Sequence, residues 1–531
     1  ILKMLPANIS SISKNWCDVG DRPDPENLSS FLAFITEKQW YIEVSIIKLL
    51  SLVIPCILIM LARFLWQAYI VITSDRLIPN PLPPGSMGFP FIGETLQFLI
   101  QGLNFNKNRR NKHGNIFKTH LFGYPTIRAI GASNVRKILQ GENTLVVAEL
   151  PPSARLLLGN GSLSQTTGKS HYARKKAVKM AFTNAALSSY VPTIQHIVRS
   201  YICNWCKRRQ VLACPEIKIL TFDVSSKVLA GFDIDEKECH RLKTVFETFL
   251  SGLFSLSVSI LLPRMRKALR ARDELLKKIE ECILKKQESE DLAHASDVLS
   301  YVMAIEGEEK LSLTELKDTC LELLFAGHET TASAASFLMM QLGQREDLKS
   351  RIKNELAENG LNDSIHGNDL DFETINKLHT VKNVVKEVLR LSPPVSSGFR
   401  KVIETFELEG FRIPKGWKVA YSIRDTHEMS PAFVDSPDRF DPDRWISFLD
   451  NVSDNRYEFL PFGGDKRKCP GREIAMLFLK IFAIELSRCS TWTLQNKTTS
   501  FRSFPIPFPA DNLPIQFLGS SETLCSCPRT V

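Results

Sequence analysis

The chain has 531 residues, 44% hydrophobic and 24% charged, with a formal charge of +9; this is ordinary globular composition, enough for one large helical domain or two to three small ones. The positive charge sits in short clusters such as "KNRR" (107–110) and "RKK" (174–176). They read as solvated basic faces, or as contacts for an anionic membrane or an acidic protein, and no nucleic-acid motif accompanies them. Twelve cysteines are too dilute for a disulfide scaffold, and Cys203-x-x-Cys206 has no second pair to complete a zinc site, so a reducing, cytosol-facing compartment fits best.

In chain order, residues 1–43 form a polar N-terminal extension. From Ile46 to Ile72 the chain is strongly apolar. Its fully uncharged run, Leu49–Ala62, is shorter than the about 20 residues that span a bilayer. Lys48 and Arg63 at its ends can snorkel, and Trp66 and Tyr69 suit an interface. Residues 44–73 are therefore assigned as a membrane anchor helix. The late start and the lack of a small-residue cleavage site disfavour a signal peptide, and the proline-rich stretch that follows disfavours a core helix. That stretch, within 74–90, holds Pro79, Pro81, Pro83, Pro84 and Pro90 and reads as a stiff, extended hinge between membrane and body.

The body is assigned to residues 91–520, followed by a tail at 521–531. It opens with "KTHLFGYPTIRAIGA" (118–132), whose alternation and glycine turn predict a hairpin. No proline occurs between Pro263 and Pro393, and long amphipathic periods predict helices there. Ser312-x-x-Glu315 is a capping box opening a long helix. The fold expectation is one large, mainly α body with a minor β-sheet.

Within the long helix lies "AGHETT" (326–331). A helix interior disfavours Gly327 by about 1 kcal/mol, which close approach of a flat ligand, a local helix opening or a helix crossing would offset. Glu329 and Thr330 then offer a carboxylate and a hydroxyl able to relay protons. "KEVLR" sets Glu387 and Arg390 on one helix face, and a buried pair of this kind needs further partners. Arg444 in "FDPDRW" is the candidate third member. Finally, "FGGDKRKCPG" (462–471) places Cys469 among glycines and cations just before a helix. A thiolate needs compensating positive potential, which a helix start, Lys466, Arg467 and Lys468 supply. One protein ligand is too few for zinc; one thiolate on a metal held by a macrocycle fits haem.

These pieces in this order, Gly-x-Glu-Thr, Glu-x-x-Arg, Phe-x-Pro-x-Arg and Phe-x-x-x-x-Arg-x-Cys-x-Gly, resemble the haem-thiolate monooxygenases of the cytochrome P-450 superfamily over about residues 80–520. The resemblance implies the cytochrome P-450 fold, with a single haem domain behind an N-terminal anchor. It implies haem b (iron protoporphyrin IX), with O2 and NADPH-derived electrons delivered by a reductase. Cys469 would be the axial iron ligand, with Phe462 and Arg467 in its loop and Arg467 on a propionate. Glu329 and Thr330 would be the acid–alcohol pair, and Glu387, Arg390 and Arg444 the structural triad. "HYARKK" departs from the pattern: His171 stands where tryptophan is usual, and Arg174 or Lys175 takes the arginine's part. Asp465 replaces a glycine, and its charge near the sulfur is expected to oppose the thiolate and weaken haem retention.

Stretches including "LPPGSMGFPFIGETLQFL", "LLFAGHETTASAA" and "GFRIPKGWKVAYSIRDTH" further resemble the animal retinoic acid hydroxylases. This implies ring hydroxylation of all-trans-retinoic acid at an endoplasmic reticulum membrane, the catalytic domain facing the cytosol. Val395 and Phe399 are expected as channel walls and Arg128 as the carboxylate partner. Leu150 stands where those enzymes carry tryptophan, and Ser396-Ser397 replaces Pro-Gly. A sterol or terpenoid hydroxylase, or a retinoid-binding protein with a decayed haem site, are the alternatives.

Overall fold

The computed structural model describes residues 25–253, 263–288, 297–307, 310–361, 369–448 and 455–518; most of the expected polar extension (1–24) and the C-terminal tail lie outside them. Two units separate, one through Tyr69 and one from Ile70 onward. The first is carried by a helix, Pro25–Thr73, that begins well before the expected 44–73. Its Ser45–Thr73 portion, 29 residues of mean hydropathy 2.5, is long and apolar enough to cross a membrane.

The body is mainly helical. At its centre runs the helix Leu313–Gln344. Its N-terminus carries the expected capping box: the Ser312 hydroxyl accepts from the Glu315 amide, and the Glu315 carboxylate accepts from the Ser312 amide. Such a cap stabilises a helix start by about 1 kcal/mol. From Thr331 to Met340 every side chain is buried. A helix apolar all round belongs inside a core, and the run "TASAAS" keeps its surface small enough for neighbours to approach. Helices Ala213–Val224, Pro263–Glu288, His379–Leu391 and Arg472–Cys489 pack around it.

The minor sheet has five strands. The predicted hairpin forms from Ile116–Leu121 and Tyr124–Ala129, antiparallel. The second of these runs parallel to Lys418–Ser422, which pairs antiparallel with Ser397–Val402, and that strand carries Val146–Ala148 at the edge. The register sets Arg128 opposite Ala420 and Ala420 opposite Phe399. Side-chain alternation therefore puts Arg128, Phe399 and Ser397 on one face. The proline-rich stretch is extended, as its composition predicts, but is pinned to the body. The Lys118 amide and ammonium donate to Pro84 and Pro83 carbonyls (both 2.8 Å), and the Arg412 amide donates to Pro81 (2.9 Å).

The Glu-x-x-Arg helix forms the brace its spacing suggested. Both Glu387 and Arg390 are fully buried. The Glu387 carboxylate accepts from Arg390 Nε (2.9 Å) and Nη2 (2.8 Å), Arg444 Nε (3.0 Å), Trp445 Nε1 (3.0 Å) and the Asp441 amide (2.9 Å). Arg390 also donates to the carbonyls of Pro437 (2.7 Å) and Arg439 (2.9 Å). A buried ion pair stabilises only when its remaining donors and lone pairs are satisfied, and here they are. Glu387→Gln leaves two guanidiniums facing a neutral amide. It should destabilise the body by about 3–5 kcal/mol, read as a lower urea midpoint; an unchanged midpoint would show that the brace is dispensable.

Candidate active site

Cys469 lies in a tight loop whose shape is set by local backbone chemistry. Gly463 and Asp465 both occupy the left-handed region, with φ of 66° and 49°. There glycine is unstrained, and aspartate is among the more tolerated alternatives. The Gly463 amide donates to Leu460 (2.9 Å), residues 465–467 make one 3-10 turn, and the Cys469 amide donates back to the Phe462 carbonyl (2.9 Å). The helix Arg472–Cys489 follows, with Gly471 at its N-cap.

The sulfur faces an internal cavity of about 770 Å³, which Phe462, Arg467, Lys468 and Gly471 also line. Cys469 keeps accessible surface towards that cavity, while protein encloses it elsewhere. Burial pushes its thiol pKa up, and the Gly471 N–H together with the charges of Lys175 and Lys468 pulls it back down. Asp465 lies in the same loop. Its carboxylate accepts from the Tyr457 hydroxyl (2.9 Å) and from Arg456 Nη2 (3.1 Å). The aspartate expected to oppose the thiolate has its charge paired with Arg456, and it also braces the loop from outside.

Of the other candidates from sequence, Thr330, Lys175, His171, Val395 and Phe399 line the same cavity. Burial lowers the His171 pKa to about 4 and the Lys175 pKa to about 8, and Lys175 Nζ donates to the Lys466 carbonyl of the cysteine loop (2.7 Å). Arg174 instead reaches the Gly161 carbonyl and Glu315. Glu329 is paired with Lys218 at 2.9 Å. Neither residue is in the cavity wall, and nor is Arg128. Arg128 is buried beneath the sheet face, with Nη2 on Ser397 Oγ (2.9 Å); Nε and Nη1 have no partner among the described residues.

The central helix is unbroken through Gly327. The glycine sits at a helix crossing: a Cβ there would come within 2.4 Å of Leu229 Cδ1, on the π-helical turn Ser225–Leu229, and that side chain would have to shift. Of the three explanations open from sequence, the helix crossing is observed and the helix opening is not; Gly327 also lines the cavity, on the side where a flat ligand would approach it.

Residues that sequence reasoning missed are Arg400, Glu142 and His427. Arg400, on the strand Ser397–Val402, lines the cavity and pairs with buried Glu142 (2.8 Å), which also pairs with Arg467 (3.0 Å). His427 joins the brace to the cysteine loop, its Nδ1 at 3.0 Å from the Arg390 carbonyl and its Nε2 accepting the Leu460 amide at 2.8 Å. Burial lowers its pKa to about 4. Arg400 stands beside Lys401 in the strand "SGFRKV", and nothing local in the sequence separates it from a solvated cation.

The residues present fit a haem. One thiol faces the cavity, and no cluster of three His, Cys, Asp or Glu that would hold a bare ion occurs among the described residues. The walls near it are apolar (Ala326, Ala475, Phe478, Leu479), and Arg467, Arg400 and Lys175 supply cations at the edge for two carboxylates.

Comparison with known proteins agrees with this geometry. The Cytochrome P450 family description matches residues 83–505. The chain is 42% identical over 475 residues to cytochrome P450 26B1 of Xenopus tropicalis, covering 88% of this chain and 93% of that protein. It is 42% identical to cytochrome P450 26A1 of Gallus gallus, covering 89% and 97%, and 40% identical to the human cytochrome P450 26B1, covering 88% and 93%. Among solved structures, the cyanobacterial CYP120A1 with retinoic acid bound superposes with a TM-score of 0.76 at 37% identity, covering 83% of this chain and 99% of that one. A lone cavity-facing thiol, a satisfied Glu-x-x-Arg brace and this similarity have one common explanation: the chain belongs to the cytochrome P450 family of haem-thiolate monooxygenases.

Proposed function

We propose that this monooxygenase hydroxylates all-trans-retinoic acid on its ring, as a step of retinoid catabolism, working with haem b and electrons passed from NADPH by a reductase. The helix Ser45–Thr73 anchors it in the endoplasmic reticulum membrane with the body on the cytosolic side. The observation that carries the substrate reading is the likeness to a solved retinoic-acid complex, joined to an apolar cavity with a buried cation behind its wall.

When bound, the haem supplies the activation of dioxygen and the transfer of one oxygen atom to a C–H bond. The rest falls to the chain's own groups. Cys469 would hold the iron, and Arg467 and Lys175 would attract the propionates. Val395 and Phe399 exclude water along the substrate's polyene and set its lateral position.

Arg128 lies behind the wall, and its charge faces the substrate's carboxylate through Ser397, which lines the cavity. A guanidinium with only one hydrogen bond inside a protein is costly, and burial lowers its pKa to about 10, opposed by Asp425. An anion next to Ser397 offsets that cost, whereas a neutral sterol does not.

Thr330 is the hydroxyl beside the reacting centre. Its Oγ1 donates to the Ala326 carbonyl at 2.7 Å, and rotation about χ1 would free that proton for the cavity. Glu329, held by Lys218, is the reservoir behind it.

Leu150 and the Ser396-Ser397 pair also line the cavity, where the retinoid enzymes were expected to carry Trp and Pro-Gly, and this favours a terpenoid or sterol substrate as the second reading. Spectral titration separates the two. Retinoic acid should shift the Soret band of the haem-loaded protein. Arg128→Met should weaken that titration roughly tenfold, as removal of a buried cation one side chain away from the carboxylate would, and leave retinol binding unchanged. A shift with sterols and none with retinoids would overturn the reading. Thr330→Ala should keep the retinoic acid titration and still consume NADPH, while hydroxylated product falls by about 10²-fold or more; undiminished product would remove Thr330 from proton delivery.

A further inference from the structure

Glu142, just beyond the helix Ala132–Gln140, is 1% exposed. Its carboxylate is shared between arginines that come from distant parts of the chain. Oε1 accepts from Arg467 Nε at 3.0 Å and Oε2 from Arg400 Nε at 2.8 Å. Oε1 also takes the Ala148 amide (3.1 Å), and the Glu142 carbonyl accepts from Lys466 Nζ (3.1 Å). The residue therefore ties the helix end, the edge strand Val146–Ala148, the strand Ser397–Val402 and the cysteine loop to one carboxylate.

The way it grips the arginines is informative. A guanidinium is a rigid planar fork of five N–H donors, so fixing the Nε edge fixes the direction of the rest. On Arg467, Nη2 donates to the Thr166 carbonyl (2.9 Å), and Nη1 has no partner among the described residues. On Arg400, Nη1 rests on the neighbouring Phe399 carbonyl (2.8 Å), and Nη2 has only a long contact with the Tyr421 hydroxyl (3.4 Å). Both guanidiniums line the cavity. The two guanidiniums share one carboxylate, and a buried cation whose donors are incompletely paired is costly without an anion.

We infer that Glu142 is the positioning residue for the haem carboxylates: it holds Arg467 and Arg400 by their Nε edges so that their spare N–H groups meet the propionates. This rests on the haem-thiolate site and not on the identity of the substrate. Groups behind the direct partners of a bound centre commonly change its affinity by on the order of 10–100-fold.

The test measures haem transfer from the full-length holoprotein to excess apomyoglobin, comparing the unaltered chain with Glu142→Gln. Each is loaded either with haem or with haem dimethyl ester, whose propionates are neutralised. With native haem the variant should release on the order of 10–100-fold faster; with the ester the two proteins should release at the same rate. An equal ratio for both haems would make Glu142 a brace of the fold alone and overturn the inference, as would unchanged release of native haem. Should Glu142→Gln not accumulate folded, Glu142→Asp carries the same comparison with the same two outcomes. It keeps the charge, but is one methylene too short to reach both arginines.

Discussion

An anionic sulfur in a water-poor cavity is unstable unless protein dipoles and cations are fixed around it. Burial works against the Cys469 thiolate, and the Gly471 amide with Lys175 and Lys468 works for it. None of these helps unless the loop from Phe462 to Gly471 keeps its shape, since electrostatic stabilisation falls off with distance and reorientation. Much of the body can be understood as machinery for holding that loop still.

The connections can be followed atom by atom. Glu387 fixes Arg390, the Arg390 carbonyl meets His427, and His427 takes the Leu460 amide; the Leu460 carbonyl then receives Gly463. From the other side, Asp465 is held by Tyr457, and Tyr457 by Gln140 (3.2 Å). Lys466, Arg467 and Lys175 close the third side through Glu142 and the loop carbonyls. Each contact is modest alone, but hydrogen bonds linked in a network inside a protein strengthen one another and hold their members in place. Rigidity is what a single-ligand metal centre requires, because no second side chain constrains the iron.

Much of this was legible in the sequence because it rests on local or patterned signals. The capping box at Ser312, the hairpin at 116–129 and the Glu-x-x-Arg face each depend on residues a few positions apart, and all appear as read. Asp465, Gly327 and Arg174 were harder, because their meaning is set by distant partners. The side-chain direction of Asp465 depends on Tyr457 and Arg456, the need for Gly327 depends on Leu229, and Arg174 is claimed by Gly161 and Glu315. Glu142 and Arg400 lie 258 positions apart, and no local spacing announces such a pair. The proline-rich stretch shows the same limit: its extended form follows from composition, its attachment to the sheet does not.

Ligation of the iron by the Cys469 sulfur is read most directly in the carbon monoxide difference spectrum of the reduced, haem-loaded full-length protein. A Soret band at the position characteristic of thiolate ligation, lost in Cys469→Ala, is the predicted result. A band at the neutral-ligand position alone in fresh protein, or a thiolate band that survives Cys469→Ala, would contradict it.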